Sequence, residues 1–236
     1  MVKGVIFDFN GTLFWDSHMH LQAWREFSAK LRGTPFSDDE MRKYMFGRTN
    51  ADIIAYAMGQ KQPDDVVERL AKEKESHYRD MCRKDLEHFV LAPGAVEFLD
   101  FLKDNNIPRT IATMSEKDNV DFYIEGFHLE QWFDIDKIVY SDGTISGKPA
   151  PDIFLKAASK LCLPPSDCLV FEDALSGIEA AKRARIGKIV AVASMESRDY
   201  YENIEGVSDI VSDFTNVEDL IWNKFSMGSL LNNVKI

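Results

Sequence analysis

The chain has 236 residues, 45% of them hydrophobic and 28% charged, with a formal net charge of -11. That length holds one large domain or a core carrying an inserted unit, and the charge argues against a general nucleic-acid binder, because phosphate backbones are met by basic faces. No run approaches the ~20 apolar residues of a membrane-spanning helix, and Cys82, Cys162 and Cys168 never fall in CxxC spacing, so neither a disulfide framework nor a zinc site is expected.

Met1-Val2-Lys3-Gly4 runs into a strand without an apolar leader core, which with the cysteine usage fits a cytoplasmic protein. Residues 2–8 form the first predicted strand, with Asp8 at its tip and Asn10, Gly11 and Thr12 crowded behind it. From Trp15 to about Glu87 no strand is expected. Leu21, Trp24, Phe27 and Leu31, then Val66, Leu70 and Tyr78, recur at helical spacing, with turns at 33–39 and 61–65. Beyond that region helices predicted at 94–105, 117–126, 151–161 and 174–185 alternate with strands at 107–113, 137–140, 168–172, 188–193 and 208–212. Such alternation implies βαβ units and a parallel sheet. The last dozen residues are expected to be loosely held.

Four polar clusters stand at or just past predicted strand ends, where open parallel sheets bind ligands. They are Asp8-Phe9-Asn10-Gly11-Thr12, Ile111-Ala112-Thr113-Met114-Ser115, Gly147-Lys148-Pro149-Ala150-Pro151-Asp152, and Val170-Phe171-Glu172-Asp173-Ala174-Leu175-Ser176-Gly177. Each alone has an ordinary reading, as a turn, a helix cap, a loop, or acidic residues favouring a helix N-terminus. In this order the four resemble the haloacid dehalogenase superfamily, in its β-phosphoglucomutase-like branch with a small helical cap. His20-Leu21-Gln22-Ala23-Trp24 and Lys72-Glu73-Lys74-Glu75 are similar to elements of that cap.

The resemblance implies an α/β fold: a Rossmann-like three-layer core with a parallel sheet, made of residues 1–14 and 90–236, plus an inserted α-helical cap domain at 15–89. It also implies a Mg²⁺-dependent phosphatase or phosphotransferase acting on a small phosphorylated metabolite, with no nucleic-acid or membrane partner, as a monomer or weak homo-oligomer. Asp8 would attack phosphorus and form an aspartyl-phosphate, splitting the reaction into two easier steps. Thr113, and the backbone N–H groups after it at Met114 and Ser115, would hold phosphoryl oxygens, and Lys148 would pair with the same anion. Asp8, the backbone carbonyl of Asn10, Glu172 and Asp173 would hold the metal, an all-oxygen set that suits magnesium.

Asn10 departs from the family, most of whose phosphatases carry an Asp there to protonate the leaving group and activate water. An amide has no such proton, and general acid–base catalysis is worth roughly 10²–10⁴ in rate. Either the substrate leaves without a proton, as acyl phosphates and phosphoanhydrides do, or Asp16, His18 or His20 supplies one, or Asn10 was introduced to trap an intermediate. A sugar phosphate mutase is disfavoured because it needs that acid twice; a phosphate-binding sensor of weakened activity is the reading from a different class. In the cap, His20 shares a helix face with Trp24, and Arg48, in the loop Phe46-Gly47-Arg48-Thr49-Asn50, is a candidate for the substrate's distal end. Lys74 is a further candidate, set against the alternative that 68–75 is a solvated helix face of ion pairs. His18, His77, His88 and His128 show no metal-site spacing.

Overall fold

Six strands form one parallel sheet in the computed structural model, which describes residues 2–45 and 48–221. They are β1 (Gly4–Phe7), β2 (Arg109–Glu116), β3 (Val139–Ser141), β4 (Cys168–Glu172), β5 (Lys188–Val192) and β6 (Asp209–Val211), in the order β3-β2-β1-β4-β5-β6. Phe46, Gly47 and the expected loose C-terminal segment lie outside the described residues. Each strand falls within three residues of its expected ends; the inner strands β1, β4 and β5, buried on both faces, announce themselves as apolar runs.

Side chains alternate across the sheet and build two cores. Val5, Phe7, Leu169, Phe171, Val190 and Val192 point to one face. There they meet α5 (Ala95–Asp104) and α6 (Lys117–Phe127) through Phe98, Leu102, Val120 and Phe127. Ile6, Val170, Ile189 and Ala191 point to the other face. They pack on α7 (Asp152–Lys160) and α8 (Leu175–Arg183) through Ile153, Phe154, Ile178 and Ala181. Phe7 stacks on Phe171 with ring centroids 5.3 Å apart, which locks β1 to β4 beneath the site. A short helix, α9 (Arg198–Tyr201), precedes β6. The three layers and parallel order are the Rossmann-like α/β fold.

Between β1 and α5 lie four helices and no strand among the described residues: α1 (Ser17–Arg32), α2 (Asp38–Tyr44), α3 (Asn50–Ala57) and α4 (Asp64–Lys84). Trp24, Phe27, Met41, Ile53, Ile54 and Leu70 give them a core of their own, and Leu21, Leu31 and Val66 pack against it as their spacing predicts. Ser37 and Glu40 close a capping box at the start of α2. Where the chain leaves and returns to the sheet, Phe14 bridges Leu91 and the Ala92 N–H donates to Leu13 O at 2.8 Å. The two crossings are thus tied to each other.

One boundary differs from expectation. β2 runs to Glu116, so Thr113 and Ser115 are strand residues and not a helix cap; Glu116 precedes α6. A register shift between Ala112 and Glu116 lets the strand re-pair with Ser141. That extension points Thr113 and Ser115 at the tip of β1.

Candidate active site

β1 and β4 are neighbours whose outgoing connections run to opposite sides, β1 toward β2 and β4 toward β5. Such a switch point leaves a crevice at the carboxyl ends of the strands, and Asp8 and Asp173 stand in it. Asp8 is buried, with its N–H bonded to Phe171 O at 3.0 Å. Lys148 Nζ donates to Asp8 Oδ1 and to Glu172 Oε2, both at 2.6 Å. The Thr12 hydroxyl donates to Asp173 Oδ1 at 3.1 Å. Carboxylate oxygens of Asp8, Glu172 and Asp173 lie within 4.8 Å of one another.

Two buried carboxylates and a half-buried third around one bonded ammonium are electrostatically unbalanced. Burial raises the Asp8 pKa above its ordinary value against the pull of Lys148. Burial, with the neighbouring Asp8 charge, pushes Glu172 up to about 7. Burial and the charges of Glu172 and Asp8 push Asp173 well upward. Burial opposes the charged form of Lys148, but Asp8 and Glu172 outweigh it and raise its pKa.

Two glycines make this crowding sterically possible. Gly11 adopts φ +80, and a Cβ there would sit 2.2 Å from Asp173 Oδ2. At Gly177, in α8, a Cβ would lie 2.0 Å from Glu172 Cδ. Gly177→Ala is expected to cost about 1–3 kcal/mol from overpacking alone, and to reduce turnover by moving Glu172 off Lys148. Thermal unfolding and kcat measured together check both; unchanged values would show that Glu172 has room to move.

Asn10 is held at every polar atom. Its Nδ2 donates to Asp16 Oδ2 at 2.6 Å and to Tyr123 OH at 2.8 Å. Its Oδ1 accepts from Ser115 Oγ at 2.7 Å and Thr113 Oγ1 at 3.2 Å. This pattern needs an amide, since a carboxylate has no donors for Asp16. Asp16, fully buried, also accepts from Gly11 N at 3.2 Å and from the Tyr78 hydroxyl. Burial works to raise its pKa, but His20 and the bonds from Tyr78 and Asn10 hold it below the ordinary value.

A second polar chain runs along the wall opposite the sheet. The His20 ring stacks on Tyr78 at 3.9 Å, with Nε2 3.3 Å from Asp16 Oδ2 and Nδ1 2.9 Å from Lys74 Nζ. An ammonium only donates, so Nδ1 accepts and Nε2 carries the hydrogen facing Asp16. Lys74 is not on a solvated face: it is 1% exposed, between the rings of Trp24 and Tyr78, and donates to Glu75 Oε1 at 2.9 Å. Asn50 and Asn119 also donate to Glu75, at 3.0 and 2.8 Å.

Burial disfavours the Glu75 charge, yet Lys74, His20 and Asn119 outweigh it and lower the pKa to about 2. A depressed carboxylate pKa stabilises the fold above its unfolded value of 4.5 and loses that contribution as pH falls through about 2. The upper bound on this effect is about 3 kcal/mol. Thermal unfolding of the native chain and Glu75→Gln should therefore differ most near neutrality and converge in acid; parallel pH profiles would contradict the assignment.

These groups line one cavity of about 270 Å³. The eleven residues expected to bind substrate or metal or to act in catalysis are on its wall: Asp8, Asn10, Thr113, Met114, Ser115, Lys148, Glu172 and Asp173 from the sheet side, and His20, Arg48 and Lys74 from the helices. Of the alternative proton sources, His20 reaches the cavity and Asp16 lies behind Asn10. His18 does not reach it and lines a separate cavity. Sequence reasoning missed Glu75, Asn119, Tyr78 and Tyr123. A signal existed in α4, where Leu70, Lys74, Tyr78 and Cys82 continue one buried face at four-residue steps.

A family model for haloacid dehalogenase-like hydrolases matches residues 2–185. The chain is 30% identical over 194 residues to a phosphorylated carbohydrates phosphatase of Thermotoga maritima, covering 81% of this chain and 85% of that one. A crystal structure of a family IA, variant 3 hydrolase of this type from Entamoeba histolytica superposes with a TM-score of 0.86 at 40% identity, covering 93% and 98% of the two chains. A β-phosphoglucomutase from Clostridium difficile gives 0.75 at 25% identity, covering 92% and 94%. The chain belongs to the haloacid dehalogenase-like hydrolases, on their β-phosphoglucomutase-like branch.

Proposed function

We propose that the protein is a Mg²⁺-dependent phosphatase that hydrolyses a small phosphorylated metabolite through an aspartyl-phosphate on Asp8. The observation that carries this reading is the convergence of Asp8, Glu172 and Asp173 around Lys148 at the sheet's switch point. Residues 15–89 act as a cap domain over a core of 1–14 and 90–236, closing on the substrate to exclude water. Three unpaired cysteines suit a cytoplasmic enzyme, working as a monomer or weak homo-oligomer.

The donor set fits a hard divalent cation: it is all oxygen, largely buried and over-supplied with negative charge. Asp8, Glu172, Asp173 and the Asn10 carbonyl would hold Mg²⁺, which supplies the charge neutralisation that lets an anionic nucleophile approach a phosphate dianion. Asp8 attacks phosphorus in line, since phosphoryl transfer is mostly positioning and electrostatics. Lys148 steadies the Asp8 carboxylate and the transferring group. Thr113 and Ser115, already donors to Asn10, turn toward phosphoryl oxygens. Arg48, exposed at the cavity rim, meets the substrate's far end.

Asn10 holds the site together but gives no proton, and both ring nitrogens of His20 are engaged. The preferred substrates are therefore phosphates whose leaving group departs as a stable anion. The same absence disfavours a mutase, which must move a proton twice. Phosphate release from acetyl phosphate, pyrophosphate and p-nitrophenyl phosphate tests the reading. Turnover should vanish after metal removal with EDTA and return with Mg²⁺, whereas metal-indifferent hydrolysis, or none with Mg²⁺ present, would overturn it.

A further inference from the structure

The two chain crossings bring together a second group of ligating side chains that the phosphatase reading leaves unused. His18 is the second residue of α1, and His88 follows the end of α4. Their rings meet edge to face with centroids 5.6 Å apart. Asp85, which caps α4, places Oδ1 2.8 Å from His88 Nδ1. One donor atom from each of the three lies within 4.8 Å of the others. No regular spacing links them in sequence; the folded crossings do. His18 and His88 line a cavity of about 630 Å³ with Trp15, Leu91, Ser194 and Met195, separate from the one that holds Asp8.

We propose that His18, Asp85 and His88 form a transition-metal site that clamps the start of α1 to the end of α4. Two imidazoles and one carboxylate suit Zn²⁺ and its neighbours, whereas Mg²⁺ prefers oxygen ligands. Tetrahedral Zn²⁺ with bonds of about 2.0–2.1 Å sets its ligands roughly 3.3 Å apart. The Asp85–His88 pair, at 2.8 Å, sits a little inside that spacing and opens to it, while His18 closes on the ion, both by side-chain rotation, since both imidazoles are exposed. Water takes the open fourth position. As a surface ion pair alone, Asp85–His88 is worth little; the third ligand from the other crossing is what makes it a site. An ion here spans the place where Phe14 bridges Leu91, the connection about which α1–α4 move relative to the sheet.

The test is calorimetric titration of the metal-free full chain with Zn²⁺ in excess Mg²⁺, which keeps the carboxylates at Asp8 occupied or competed. The native chain and Asp173→Asn should each bind one Zn²⁺ that Mg²⁺ does not displace. His88→Ala and His18→Asn should each weaken that binding by at least the roughly 10–100-fold that loss of an outer-shell partner alone costs, while keeping the turnover seen without Zn²⁺. Zn²⁺ should raise the melting temperature of the native chain more than that of His88→Ala. Identical titrations for native and His88→Ala, or Zn²⁺ binding lost only in Asp173→Asn, would overturn the proposal. Binding is read without substrate, so its failure and the failure of the phosphatase reading are distinguishable.

Discussion

Asp8→Asn should lower kcat by about 10⁴-fold or more, the scale on which single catalytic groups act, while leaving the fold at least as stable. The two effects separate because the substitution removes the charge of the proposed nucleophile without changing its shape. The amide oxygen still accepts from Lys148, which donates to Oδ1 in the native chain at 2.6 Å. Repulsion among the three carboxylates falls, so Glu172, held up to about 7 by burial and the Asp8 charge, should titrate lower. Turnover assays with acetyl phosphate and thermal unfolding on the same preparation check the pair of outcomes. Lost activity together with lost stability would make Asp8 a structural residue instead.

Asn10→Asp is the second large effect, and it depends on the leaving group. The new carboxyl would face Asp16 Oδ2, now 2.6 Å from Asn10 Nδ2. Two carboxylates that close cannot both ionise near neutral pH, so the pair holds one proton with coupled pKa values. Thr113 and Ser115 continue to donate to one oxygen, and Tyr123 turns its hydroxyl to donate. The shared proton becomes the general acid that the native chain lacks. Hexose phosphates should gain about 10²-fold in kcat/KM, within the usual range for such catalysis, while acetyl phosphate, whose leaving group needs no proton, should hardly change. The gain should fade as pH rises and the shared proton is lost. Stability near neutral pH should drop by about 1–3 kcal/mol, because folding must keep one of the two buried carboxyls protonated. Equal gains on both substrates would mean that Asn10 limits something other than proton transfer.

The strands and the residues at their tips were legible because chain order alone determines them. A strand buried on both faces is an apolar run, and a polar residue at its end stands out, as Asp8, Thr113 and Glu172-Asp173 do. Lys148 was found in the same way, in a loop between a strand and a helix that Pro151 introduces. What the sequence hid was set by packing of one helix on another. Lys74 sits among charged neighbours, Lys72, Glu73 and Glu75, and only its place between Leu70 and Tyr78 on α4 betrays that it is buried. Asn10 looked like a missing acid; its role as a four-bond hub emerges only when Asp16, Tyr123, Thr113 and Ser115 arrive from three separate elements. The meeting of His18 with Asp85 and His88 is of the same kind: no periodicity encodes it, because the two crossings are brought together by the Phe14–Leu91 bridge.

Rapid acid quenching of the native chain during turnover of acetyl phosphate with Mg²⁺, followed by peptide mass spectrometry, addresses the nucleophile directly. On the proposed mechanism Asn10 would not activate the water that cleaves an aspartyl-phosphate, so phosphate should accumulate on the peptide containing Asp8 and be absent from Asp8→Asn. Steady turnover with an unmodified Asp8, or phosphate on a different side chain, would contradict the account.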